Sequence, residues 1–217
     1  MGPRRGGALT MAALDPATAG RTVVGLDLSL TGSALAVIDL ETGDLATAVH
    51  KSPAPKEDLL GAHVARHREL VDGIVGQVIG CDPALTVIEG LQFSVTSKDS
   101  SLTRRGFLWW AVAEGLVRAG VPVLEVAPSQ IKQLATGKGN ASKSEVVAAY
   151  ATAWPDATRG ANVEDRADAA FAAALGVAWL RRDVLPFKVT APRRKALAKV
   201  GAPSIPPRLG GESIAAA

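Results

Sequence analysis

Four carboxylates in this 217-residue chain sit in contexts that favour chemistry over simple solvation: Asp27, Glu89, Asp165 and Asp168. Asp27 closes the apolar run Val23-Val24-Gly25-Leu26 and is followed by Leu28-Ser29-Leu30-Thr31-Gly32. Alone, that stretch also reads as a buried strand entering a turn, its carboxylate bonded to turn backbone. Glu89 repeats the arrangement at the end of Ala84-Leu85-Thr86-Val87-Ile88, and in open sheets sites gather beyond such strand ends. Asp165 and Asp168 are three apart in a helical stretch, hence neighbours on one face. Glu164 and Asp165 fit the first turn of a helix as partners of its dipole. Asp168 instead lies among alanines, where an unpaired buried carboxylate costs roughly several kcal/mol. A metal ion would relieve that cost. Oxygen donors of this kind suit Mg²⁺ or Mn²⁺, and two such ions can clamp the attacking and leaving oxygens of a phosphodiester displacement.

The elements that would position these acids follow from period and punctuation. Strands are predicted over 22–28, 33–39 and 45–50, with Glu41-Thr42-Gly43-Asp44 as a hairpin turn, so the three form an antiparallel meander. Helical spacing of Leu60, Val64, Val71, Ile74 and Val78 predicts a helix from Glu57 to about Ile79. A strand over 84–89, a helix over 102–118 and a strand over 121–126 follow, then a short helix from Pro128 that carries Lys132. Gly137-Lys138-Gly139-Asn140 is a turn, and Ser142 with Glu145 forms a capping box for the next helix. The last helix runs from about Val163 to Arg182. The order predicts an α/β domain: a mixed five-stranded sheet flanked by helices. If the strands ending in Asp27 and Glu89 are adjacent and central, their acids share one edge.

Bulk properties narrow the classes. The chain is 47% hydrophobic, with no apolar run long enough to span a bilayer. The single cysteine, Cys81, builds no disulfide framework, and the simplest setting is a reducing cytoplasm. Residues 1–20 read as a disordered arm, 21–185 as the folded domain and 186–217 as a flexible basic tail. From Arg181 onward, eight basic residues face two acidic ones, a net +6 within a total of +3. Such asymmetry fits a nucleic-acid partner as well as a solubilising tail. His63 and His67 have metal-binding spacing without an evident third ligand, so they read as surface or boundary residues. Trp109 and Trp110 point about 100° apart on a helix, so at least one must leave the core or meet a partner chain. No Walker-type Gly-Lys-Ser/Thr is present, which argues against a P-loop nucleotide enzyme.

Val-Val-Gly-Leu-Asp27, Val-Ile-Glu89, Pro128-Ser-Gln-Ile-Lys132, Gly137-Lys-Gly-Asn-Ala-Ser-Lys143 and Asp165-Arg-Ala-Asp168 occur in the order found in one family. Over about residues 22–182 the chain resembles the RuvC family of Holliday-junction resolvases, within the ribonuclease H-like superfamily. The resemblance implies a ribonuclease H-like fold and a metal-dependent endonuclease that cuts four-way junctions by paired symmetric nicks, leaving 5′-phosphate and 3′-hydroxyl ends. It implies Asp27, Glu89, Asp165 and Asp168 as ligands of Mg²⁺ (Mn²⁺ as substitute), two ions per site, and no nucleotide cofactor. Lys132 and Lys143 would be basic catalytic residues near the cleaved strand. Phe93, Lys98, Arg104, Arg105, Lys138 and Lys143 are candidate DNA contacts. The family's homodimer implies a partner copy, with the Trp109/Trp110 helix as candidate interface. Two departures stand out: Leu28-Ser29 replaces the family's Pro-Gly after the first Asp, and Phe93 lies four residues beyond Glu89, one further than the family pattern. Competing readings are a non-catalytic branched-DNA binder and an actin-superfamily ATPase or kinase. The second of these lacks its other phosphate loop and adenosine motif here.

Overall fold

Apolar residues on both faces of a strand demand cover on both sides, and β1 (Thr22–Asp27) is buried along its length up to Asp27. A computed structural model of the chain describes residues 20–91, 101–158 and 161–208. β1 pairs antiparallel with β2 (Gly32–Asp39), which pairs antiparallel with β3 (Leu45–Lys51). On its other side β1 runs parallel to β4 (Leu85–Glu89), and β4 parallel to β5 (Val123–Val126). The sheet order is β3-β2-β1-β4-β5, so the two acid-bearing strands are adjacent and neither is an edge strand, which meets the condition for their acids to share one edge.

Alternation sorts the side chains into two cores. Val24, Leu26, Leu35, Val37 and Ile88 face α1 (Leu60–Gly80) and α2 (Leu102–Arg118). Val23, Ala34, Ala36, Ile38 and Val87 face the layer of α3 (Pro128–Thr136), α4 (Lys143–Ala153) and α5 (Val163–Trp179). The Ser142–Glu145 capping box forms as expected: Ser142 Oγ accepts from the Glu145 amide, and the Glu145 carboxylate accepts from the Ser142 amide at 2.8 Å. Helix α5 is the central element of its layer, with every residue from Ala169 to Ala178 buried.

The reading of 186–217 as a flexible tail is corrected for 186–208. After α5 the chain folds back as a strap containing the short helix α6 (Ala191–Arg194) and a 3-10 turn over Lys195–Lys199. Phe187 joins an aromatic cluster with Trp154 and Phe171, and Ala196 is buried. Arg193 donates to the Ala135 carbonyl at 2.9 Å and its guanidinium covers the Phe187 ring. Further on, the Ser204 amide donates to the Val123 carbonyl, Ser204 Oγ accepts from the Val123 amide, and the Arg208 amide donates to the Ala84 carbonyl. Hydrogen bonds to backbone groups and a few unevenly spaced apolar side chains, Phe187, Val189 and Leu197 among them, do the docking, and neither leaves a periodic pattern in the sequence. Of the arm predicted over 1–20, all but Gly20 lies outside the described residues.

Candidate active site

The parallel register pairs Leu26 with Ile88, so one step on Asp27 and Glu89 leave neighbouring strands at the same sheet edge. Bringing α5 to that edge requires an unusually close approach. A Cβ on Gly25 would lie 2.1 Å from the Ala169 carbonyl oxygen and 2.4 Å from the Ala173 nitrogen, so only glycine fits. Lower on the helix, a Cβ on Gly176 would lie 2.7 Å from both Val23 Cγ1 and Val87 Cγ2. With both β-carbons absent, the helix lies against β1 and its first turns bring Asp165 and Asp168 to Asp27. Asn162, in the left-handed conformation at φ 60°, starts the helix and donates from Nδ2 to Asp165 Oδ2 at 3.2 Å.

The electrostatics register this gathering. Burial first, then the charges of Asp168 and Asp165, push the Asp27 carboxyl up to about 7. Burial, then Asp27 and Asp168, push Glu89 up to about 8. Burial lifts Asp168 to about 6 against the pull of Lys143 and Lys132. Lys143 is itself raised, first by its hydrogen bond to Glu164 at 3.3 Å. The four acids and two lysines predicted from sequence thus act on one another electrostatically. Arg105 belongs to the same field, lowering Asp27.

Not every candidate joins them. The Arg104 guanidinium lies 4.0 Å from Asp58 and lines a cleft with His63, His67 and Phe107 on the outer face of α1 and α2. Lys138 pairs with Glu145 of the capping box at 3.4 Å. Phe93 and Lys98 lie outside the described residues. His63 pairs with Asp58, whereas His67, expected at the surface or boundary, is buried and bonds through Nδ1 to the His63 carbonyl.

Two supporting residues escaped the sequence reading. Trp109, buried, donates its indole N–H to the Glu89 carbonyl at 2.8 Å, while Trp110 stands 67% exposed beside it. The adjacent pair predicted the split but not the bond. Arg66 donates to the carbonyls of Leu30 and Ser52 and to Ser52 Oγ, tying the turn after Asp27 to the end of β3. It sat on the polar side of a predicted helix, where nothing marked it.

Among the described residues no three carboxylate, histidine or cysteine side chains converge closely enough to hold an ion as they stand. The donor set nevertheless fits a hard divalent cation. It consists of oxygen ligands, part-buried and mutually repelling, with the lysines as neighbouring cations.

No family model matches the chain. It is 29% identical over 124 residues to the crossover junction endodeoxyribonuclease RuvC of Delftia acidovorans, covering 57% of this chain and 67% of that protein. Its fold is similar to Thermus thermophilus RuvC, with TM-score 0.57 and 25% identity over 74% of this chain and 97% of the other. The T. thermophilus RuvC solved with its Holliday-junction substrate matches at TM-score 0.56 and 22% identity, over 76% and 97%. The fold is ribonuclease H-like.

Proposed function

We propose that this RuvC-like chain is a crossover junction endodeoxyribonuclease that resolves four-way DNA junctions in the cytoplasm. The observation that carries the reading is the electrostatic coupling among Asp27, Glu89, Asp165 and Asp168 near one sheet edge, with Lys132 and Lys143 in the same field. The four acids would hold Mg²⁺, or Mn²⁺ in its place. When bound, two such ions supply the positive charge that favours water attack on a phosphodiester and stabilises the leaving oxygen.

The chain's own groups do the rest. Lys143, hydrogen-bonded to Glu164, and Lys132 in the middle of α3 set positive charge where the phosphate's negative charge develops. Trp109 anchors the backbone of Glu89, and Gly25 sets the depth at which α5 delivers Asp168. In-line attack leaves 5′-phosphate and 3′-hydroxyl ends. Phe107, Trp110 and Val117 expose apolar surface on α2, supporting a homodimer through that helix. An isologous pair would set two sites on two strands of a symmetric junction.

The test is cleavage of a synthetic mobile four-way junction with Mg²⁺. Wild type should give paired symmetric nicks, and Asp27→Asn and Asp168→Asn should each abolish them. Tight, metal-independent junction binding without nicks would identify a non-catalytic binder instead. Variants that cut like wild type would remove the carboxylates from the reaction.

A further inference from the structure

The C-terminal end of α5 carries a strained arginine that packing does not require. Helix α5 ends in a Schellman motif: the Arg181 amide donates to the Ala178 carbonyl and the Arg182 amide to the Val177 carbonyl, both at 3.1 Å. The residue at that corner takes positive φ, a place glycine fills at no steric cost. Here it is Arg181, at φ 55°. Strain retained where a commoner residue would relieve it directs attention to what the side chain does.

The side chain lines a cleft of about 950 Å³ between the end of α5 and the returning strap. Arg181, Arg182, Lys188 and Arg194 line the same cleft, all exposed, with Asp183 as the acid among the lining residues. Leu185, Phe187 and Leu197 complete its walls, so folded structure holds these cations together. Cations near a helix C-terminus also suit its dipole, but that effect needs neither a strained backbone nor two further cations from the strap. The cleft opens past the end of α5, which runs eleven residues beyond Asp168, about 17 Å at helical rise. That is too far for the reacting phosphate and near enough for another part of the same substrate.

We propose that this cleft binds the phosphodiester backbone of a duplex arm, a contact separate from the cleavage site that reads charge and not sequence. The choice of partner rests on the junction reading above; the site itself rests on the convergence of cations and on Arg181.

The experiment measures binding of a four-way junction to the full chain in an Asp168→Asn background, over about 50 to 200 mM salt, where phosphate contacts are expressed in the slope. Arg181→Gly and the pair Lys188→Gln/Arg194→Gln are added separately and together. Each contact removed should lower the salt slope by about 1. The combined variant should bind at least about tenfold more weakly at 100 mM salt, since every lost phosphate contact removes released counterions. Arg181→Gly alone should weaken binding while leaving the melting temperature unchanged or raised by about 2 °C, because glycine relieves the corner. In a background with Asp168 intact, single-turnover cleavage at saturating junction should be unchanged. Wild-type affinity and slope in the combined variant would overturn the proposal, as would weakened binding found only together with a lowered melting temperature. Failure of the parent protein to bind any junction would instead defeat the junction reading from which the partner was taken.

Discussion

Asp27, Glu89 and Asp168 hold protons to higher pH in the folded chain than ordinary carboxyls do, with values of about 7, 8 and 6. Below the ordinary carboxylate range both folded and unfolded chains are protonated at these positions and nothing is lost. As pH rises, the unfolded chain releases its protons first, so metal-free protein loses stability until the folded values are passed. Asp27→Asn removes one source of that loss. In EDTA the variant should exceed wild type by about 1–3 kcal/mol at pH 8, a fraction of the full linkage because the acids share their shifts. The gain should shrink toward pH 4. Urea unfolding at the two pH values measures it, and excess Mg²⁺ should reverse the order at pH 8 by stabilising only the wild type. Lys143 belongs to the same scale. Lys143→Gln keeps the stem and removes the charge, and should slow single-turnover junction cleavage by roughly 10- to 100-fold with little change in junction affinity.

At the level of elements, the site depends on the contact of α5 with β1. Gly25→Ala sets a methyl against backbone atoms of Ala169 and Ala173, which cannot rotate away. Gly176→Ala meets the side chains of Val23 and Val87, which can shift. Both substitutions overpack the core, the first by about 2–4 kcal/mol and the second by about 1–3. Denaturation midpoints should therefore rank Gly25→Ala as the worse. Cleavage should fall further than stability explains in Gly25→Ala, because the displaced helix carries Asp165 and Asp168 away from Asp27. Much of this scale was legible in the sequence. Strand ends at Asp27 and Glu89, the meander between them and the Asp165–Asp168 face all follow from hydrophobic period. The glycine contact was not, since a lone glycine in a strand does not say which element approaches it. Nor was the bond from Trp109 to Glu89, because burial of an indole does not name its acceptor.

For the molecule as a whole, the exposed apolar residues of α2 predict assembly. Trp110→Ser together with Phe107→Ser should leave the fold intact, since both side chains are largely exposed at 67% and 60%. It should shift the mass seen by light scattering from dimer to monomer. Junction nicks should then lose their pairing, appearing on one strand at a time. The strap is the part of the molecule least readable from sequence. Pro-, Lys- and Arg-rich segments carry no period, and the contacts that dock this one include the Phe187 ring, the small Ala196, the Arg193 side chain and backbone pairing at Ser204.

That pairing bears on how the protein is made. β5 is the last strand of the sheet, and Ser204 occupies both the N–H and the C=O of its Val123. A ribosome delivers β5 some eighty residues before Ser204, so the nascent sheet carries an open side through much of its synthesis. Chains stopped after residue 185 keep that side open for good. They should aggregate during expression while a chain extending through Arg208 stays dispersed, and crowding of translating ribosomes should worsen the difference.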